Sequence, residues 1–306
     1  MDSFSDLAFF KLLMKHGSLA ATAQDMGITP PSVSKRLAAL EARLGVRLLH
    51  RTTRRISLTP EGELYLAEGA RLLDDMDELE QRVAGAKAQP QGLMRVAASL
   101  GFGRLHVAPL LSDFARLYPA VELQLSLTDR PINLVEQGFD LAIRLGDQPD
   151  ARITARLLAR NQRVLCAAPA YLQRAGPLAS PRDLLQHQCI VIRERDEIYG
   201  TWHLQKGAQQ EAVKVQGQLS STDGHCALAW ALDGHGVLLR SVWDAAPYLR
   251  SGRLQRVLPD WAQTHADIYA VFPTRAHLSA KTRALVDFLH QRLAPYRRKD
   301  AAYFGW

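Results

Sequence analysis

The sequence predicts an α/β multidomain chain in which an all-helical head, a linker helix and a two-lobed α/β body follow one another. Three observations carry this expectation. The first sixty residues show helical apolar spacing that ends in a short arginine-rich stretch. An acidic segment with heptad-spaced apolar residues follows, and from Leu93 strand-like runs alternate with helical ones. With 306 residues the chain has room for two or three separate cores.

In the head, Phe4, Leu7, Phe10, Leu12 and Leu13 mark a first helix that ends near His16 and Gly17. Ser18 is placed to cap a short alanine-rich helix, Leu19 to Met26, closed by Gly27. Thr29 is placed to cap a third helix whose first turn holds Pro30 and Pro31, where amides have no intrahelical acceptor to lose. Val33, Leu37, Leu40 and Leu44 form its apolar stripe, and Gly45 ends it. The opposite face carries Pro31, Ser34, Lys35, Ala38 and Ala42, flanked by Ser32 and Arg36. That face is narrow, hydroxylated and basic, which suits a major groove. His50 to Ser57 then set Arg51, Arg54 and Arg55 between Leu48-Leu49 and Ile56-Leu58, the pattern of two short strands around a basic tip. The head therefore reads as a winged helix-turn-helix. Its nine Lys/Arg against four Asp/Glu give a balance of +5 over residues 1–60 and point to a polyanion, double-stranded operator DNA.

Thr59 caps and Pro60 opens a helix expected to run to about Ala88. Tyr65, Leu72, Leu79 and Ala86 alternate with Gly69, Met76 and Val83 at spacings of four and three, the seam of a coiled coil. Asp74, Asp75, Asp77, Glu78 and Glu80 keep its outer faces wet, and residues 61–90 carry a balance of −5. Lys87 to Gly92 read as a linker. The expected divisions are 1–60 for DNA binding, 61–91 for dimerisation and hinge, and 92–306 for effector binding. Within the last, lobe I takes 92–162 and 268–306, and lobe II takes 163–267.

The body begins with the strand LMRVAAS, a helix from Gly101 to Tyr118, the strand VELQLSL, a helix from Ile132 to Gly138 and the strand DLAIRLG. A second lobe takes RVLCAAP, CIVIRE, WHLQ, EAVKVQG, the helix Gly224 to Asp233 and VLLR. ADIYAVFP and a helix from Ser279 to Leu293 return to the first lobe. Two crossings make a hinge, with a ligand cleft between the lobes. Ser99, Gly101 and Phe102 lie where a strand ends and a helix begins, so a hydroxyl and free amides can hold a carboxylate. Ser221 and Thr222 precede a second helix start, and Arg144, Arg195 and Arg240 are candidate guanidinium partners for an acid. The partner expected here is a small anionic metabolite with an acid group at each end.

Other functions find little support. No run of 18 or more uncharged apolar residues is present, and Asp2, Asp6 and Lys11 interrupt any export signal, so a cytoplasmic protein with no membrane association is expected. Cys166, Cys189 and Cys226 lack zinc or disulfide spacing and read as buried thiols. Gly101-Phe102-Gly103 is followed by His106 where a dinucleotide fingerprint needs its third glycine. No Gly-x-Ser-x-Gly, His-Glu-x-x-His or Walker loop occurs, and no cofactor or metal is expected. The rival is a two-lobed small-molecule-binding protein without a DNA role.

The run AATAQDMGITPPSVSKRLAALEARLGVRLLHRTTRRISLTPEG is similar to the LysR-type signature over its whole length. GFGRLHVAPLLSDF, DRPINLVEQGFDLAIRLG, RVLCAAPAYL and ALAWALDGHGVLLRSVWD resemble the subgroup of LysR-type regulators that contains tartrate- and malate-responsive activators. The resemblance implies a periplasmic-binding-protein-like sensor domain, contacts from Ser34 and Lys35 to bases or phosphates, and effector contacts at Ser99 and Thr128. It also implies a hydroxydicarboxylate effector, a homo-oligomer built as a dimer of dimers, and RNA polymerase as a further partner. The chain departs from the family at Pro30, where glutamine is frequent; a prolyl ring cannot hydrogen-bond a base edge.

Overall fold

The computed structural model describes residues 3–51, 56–83, 89–134, 136–146, 152–193, 200–263, 266–274, 278–298 and 306. Contacts divide the chain into two compact units, Met1–Leu93 with Ser279–Lys281, and Met94–Leu278 with Thr282–Trp306.

The first unit contains α1 (Ser3–His16), α2 (Leu19–Asp25), α3 (Pro30–Leu44), β1 (Leu49–Arg51), β2 (Ile56–Leu58) and α4 (Pro60–Val83). Ser18 caps α2 by accepting from the Ala21 amide, and Gly45 ends α3 in the left-handed region at φ 72°. Phe9, Phe10, Leu13, Val33, Leu37 and Leu40 fill the core between the three helices. One buried carboxylate organises the exit from α3. Glu41 Oε1 accepts from the Leu48 and Leu49 amides at 2.9 and 3.3 Å, and Oε2 accepts from Arg47 at 3.2 Å. β1 and β2 pair antiparallel, Leu49 opposite Leu58. The Thr59 hydroxyl donates to the Arg47 carbonyl at 2.7 Å and accepts from the Gly62 amide at 3.0 Å, so a single side chain caps α4 and ties it to β1.

α4 corrects the expected seam. Tyr65 sets its ring 5.5 Å from Phe10, and a Cβ on Gly69 would lie 2.4 Å from Leu7, so both positions pack inside the head. Leu72, Met76 and Leu79 remain 52%, 37% and 50% exposed, an apolar stripe left open among the described residues. Ala86 lies outside the described residues.

The second unit is built on two sheets. The first has the order β4-β3-β5-β15-β6, where β3 is Gly92–Ala98, β4 Val121–Leu127, β5 Leu141–Leu145, β6 Ile153–Ala159 and β15 Ile268–Pro273. β3 runs parallel to β5, and β15 is antiparallel to β5 and β6. The second sheet has the order β10-β9-β14-β7-β12-β8-β11, with β13 (Gln255–Arg256) also pairing with β7. Its strands are β7 (Arg163–Ala167), β8 (Cys189–Ile192), β9 (Thr201–Lys206), β10 (Gln209–Lys214), β11 (Ser220–Ser221), β12 (Val237–Ser241) and β14 (Ala262–Gln263). Helix α5 spans residues 100–117 and includes a π turn at Gly103–Val107; α6 is Pro169–Ala175, α7 Gly224–Leu232, α8 Val242–Arg250 and α9 Ala280–Arg292. No helix among the described residues is long and apolar enough to cross a membrane.

The expected helix at 132–138 does not form among the described residues there: Gln137 and Phe139 donate back to the Asn133 and Leu134 carbonyls, and Gly138 leaves at φ 68°. α6 and α8 were not expected; α8 carries Pro247 inside it, which reads in sequence as a breaker. Cys166 and Cys189 are buried, and burial pushes both thiols up to about 12, but Cys226 is exposed rather than buried.

Glu41→Ala leaves the buried Leu48 and Leu49 amides without an acceptor. It is expected to destabilise the first unit by about 1–3 kcal/mol, with a smaller loss for Glu41→Gln, which keeps one acceptor oxygen. Thermal unfolding followed by circular dichroism checks this, and equal midpoints for all three proteins would contradict it.

Candidate functional site

Two places in the fold collect the candidate residues. On α3, Thr29, Pro31, Ser32 and Lys35 are exposed and Ser34 is half-buried, opposite the buried Val33, Leu37 and Leu40. Lys35 makes no ion pair or hydrogen bond among the described residues. Arg36 does not belong to that face. Its guanidinium donates to the Ser5 carbonyl and hydroxyl at 2.9 and 2.6 Å, lies 3.7 Å from Asp6 and sits 4.6 Å from the Phe9 ring centroid. It is a strut between α3 and α1; the buried Asp6 carboxylate takes its hydrogen bond from Arg43, at 2.9 Å. The side chain of Arg51, with Arg54 and Arg55, lies outside the described residues.

The second place is a cleft of about 240 Å³ between the two sheets of the second unit. Ser99 stands on its wall at the start of α5. The Ser99 hydroxyl is buried and has no hydrogen-bond partner among the described residues. Its carbonyl accepts from Gly103 at 2.8 Å, and the Leu100 amide donates to the Asp129 carboxylate at 2.9 Å. The amides of Gly101 and Phe102 lie in the first turn, where the helix supplies no acceptor. Phe102 is fully buried, its ring 4.8 Å from His106 and 5.4 Å from Trp243, so it backs the cleft wall. Burial lowers the His106 pKa, opposed by the nearby Asp244.

Arg144 lines the same wall. It donates to the Thr128 and Arg130 carbonyls at 3.0 and 3.1 Å and so fixes the turn after β4. Burial lowers its pKa from the usual guanidinium value and Asp129 opposes this. Arg130, Arg163 and Arg240 also face the cleft.

Several expected contacts are corrected. Thr128 does not line the cleft; its hydroxyl accepts from the Arg130 amide at 3.1 Å and shapes the turn instead. Ser221 accepts from the Asp223 amide at 3.0 Å and Thr222 is exposed, and neither lines the cleft. α7 is capped by Asp223, which accepts from the His225 amide at 2.6 Å, so this helix start already holds a carboxylate. Arg240 lines the cleft, but Nε donates to Asp244 at 2.6 Å and Nη2 pairs with the same carboxylate, with the Trp243 ring 5.4 Å away. A Cβ on Gly224 would lie 1.9 Å from Arg240 Nη1, so the glycine makes room for the guanidinium. Arg195 lies outside the described residues. Asp129, Arg163 and Trp243 line the cleft and escaped sequence reasoning; the Asp-Arg-Pro turn after β4 was the available signal for the first.

Around the cleft, four guanidinium groups face two carboxylates, those of Asp129 and Asp244, which favours an anionic ligand. Among the described residues no cluster of three or more His, Cys, Asp or Glu could hold a metal ion.

Residues 4–63 match the bacterial regulatory helix-turn-helix protein model of the lysR family, and residues 87–294 match the LysR substrate binding domain. The chain belongs to the LysR family of transcriptional regulators. This LysR-type regulator is 42% identical to the HTH-type transcriptional regulator DmlR of Escherichia coli K12 over 292 residues, 95% of each chain. It is 40% identical to the transcriptional activator TtdR of the same strain over 284 residues, 93% of this chain and 91% of the relative. Among solved structures it is similar to CrgA, a LysR-type regulator from Neisseria meningitidis, with TM-score 0.59 and 29% identity over 96% of this chain and 99% of that one. Regulators of this family bind DNA and small-molecule effectors and assemble as oligomers; they are not enzymes. The match over residues 4–63 removes the reading of a binder without a DNA role.

Gly224→Ala is expected to push Arg240 off Asp244 and to cost about 1–3 kcal/mol, the usual penalty for overpacking. A thermal midpoint unchanged from the parent would show the guanidinium free to swing aside.

Proposed function

We propose that this LysR-type regulator senses a small carboxylate, of the hydroxydicarboxylate class, in the cleft headed by Ser99, and controls a promoter that α3 recognises. The observation that carries the effector reading is the Ser99 hydroxyl, buried and without a partner among the described residues, beside the first turn of α5. A hydroxyl without a partner inside a protein costs free energy that a bound carboxylate restores. Arginines supply the second pole. Asp129, an acceptor next to that acid position, disfavours a second negative charge close by and favours a ligand hydroxyl that can donate to it. Resemblance to the tartrate- and malate-responsive subgroup supports the same ligand class.

The head, residues 1–60, contacts operator DNA through Thr29, Pro31, Ser32, Ser34 and Lys35. Residues 61–91 dimerise through the exposed Leu72, Met76 and Leu79, and two such dimers form the working tetramer, which acts in the cytoplasm and meets RNA polymerase at the promoter. Residues 92–306 form the sensor.

Ser99→Ala is expected to lower the affinity for malate or tartrate at least tenfold with basal DNA binding retained; isothermal calorimetry showing equal heats and affinities would remove Ser99 from the site. Lys35→Ala is expected to weaken binding to the promoter fragment beside the gene and to reduce the salt slope of log affinity by about 1. Anisotropy titrations at several salt concentrations check this; an unchanged slope would take Lys35 off the duplex.

A further inference from the structure

We infer that Trp306 is a latch that holds the two lobes of the sensor at their resting angle and so sets how tightly the cleft takes its ligand. The inference rests on the cleft of Ser99 being the effector site. Trp306 lies past the stretch that matches the LysR substrate binding domain, yet only 9% of it is exposed. Its indole stacks on the Tyr296 ring at 3.9 Å and 8°, and meets the Phe102 and His106 rings edge-on at 5.9 and 5.2 Å. Phe102 lines the cleft, so the indole stands directly behind that wall. Trp306 Nε1 donates to the Arg160 carbonyl at 3.1 Å, and the Arg160 amide donates to the Tyr296 carbonyl at 2.7 Å. The Trp306 carbonyl accepts from Arg250, the last residue of α8.

These two anchors belong to parts that shift against one another when the lobe angle changes. Arg160 follows β6, where the chain leaves the first sheet for the second. Helix α8 is shared between the lobes: Val242, Trp243 and Ala246 pack into the core of the first sheet, Ala245 and Tyr248 into that of the second. A helix shared in this way slides against one lobe or the other whenever the angle between them alters. Trp306 fastens its end to the crossing strand by one carbonyl and one indole N–H, and the stacked ring fills the space between. Close packing makes such a contact either made or broken, with little room to stretch. A latch that stabilises the resting arrangement lowers the fraction of molecules able to close on a ligand, and the apparent affinity falls by that fraction. Weakening the latch therefore strengthens binding, the opposite of what damage to a binding site does.

The test titrates malate and tartrate by calorimetry into the full-length parent, Trp306→Phe, Arg250→Ala and the double variant. Trp306→Phe keeps a stacked ring and loses only the N–H. The expected result is about fivefold tighter binding in Trp306→Phe, the worth of one hydrogen bond, and a gain of similar size in Arg250→Ala. In the double variant the gain is smaller than the product of the two, because both changes open one latch. Equal or weaker binding in Trp306→Phe would overturn the latch and leave the effector reading standing. Should neither acid bind the parent, the ligand class falls instead, and hydrogen exchange of the ligand-free proteins decides the latch. Faster exchange of the peptide holding Arg160 in Trp306→Phe supports it, and exchange equal to the parent's rejects it.

Discussion

The cleft exists because one carboxylate holds the polypeptide where it passes between the two sheets. Asp267, at the entry to β15, accepts from the Asn161 amide at 2.8 Å and pairs with Arg160 at 2.5 Å on the strand that leaves β6. Asn161 in turn donates to the Ala266 carbonyl at 2.9 Å and to the Ser241 hydroxyl at 3.2 Å. Ser241 lines the cleft, so the hinge and the ligand wall share one buried hydrogen-bond chain. Such a chain is costly to leave half-made, and this gives the lobes a defined resting position rather than a continuum. On the proposed reading, a ligand that drew the walls together would have to act against that arrangement.

Three helix starts show how the chemistry of the first turn decides the partner. α5 gives its Leu100 amide to the Asp129 carboxylate and keeps the Ser99 hydroxyl without a partner among the described residues, which leaves a donor for a ligand. α7 begins in the same cleft through Gly224, yet Asp223 already occupies its amides and supplies the negative charge internally. α3 has prolines where the amides would be and its remaining N–H groups turned back on Thr29. The macrodipole is common to all three; the residues of the first turn determine whether a donor is left for a ligand, spent inside the fold or removed by proline.

The sequence made local features legible. Ser18 and Thr59 cap the helices they were expected to cap, and the stripe Val33, Leu37, Leu40 orients α3. Strand-like runs gave the alternating α/β body because short continuous apolar stretches such as those of β7 and β12 read as strands buried on both faces, while β4 and β9 alternate. What stayed hidden was the choice of partner over long separations. Arg36 and Arg240 look alike in a basic face or cleft, but the Ser5 carbonyl and hydroxyl hold the first and a buried Asp244 the second. Thr128 was expected at the ligand through the family resemblance; its hydroxyl accepts from the Arg130 amide in the turn that follows. Tyr65 and Gly69 keep the heptad spacing yet face α1, since helical periodicity fixes a face and not the neighbour that covers it.

The exposed remainder of that heptad pattern carries the last step. Leu72, Met76 and Leu79 form an apolar stripe on a helix whose other faces are strongly acidic, a composition that repels DNA and favours a second copy of itself. A single head brings few groups to a duplex, and on α3 the lysine with no partner is joined by hydroxyls and hydrocarbon. Contacts of that kind are weak one at a time. Once two heads are joined through α4, binding of the second becomes intramolecular, and affinity rises by the effective concentration instead of by any new contact. On the proposed reading, a ligand-driven change that alters the spacing of the heads would change that effective concentration, and with it the affinity for DNA, without any contact to the duplex.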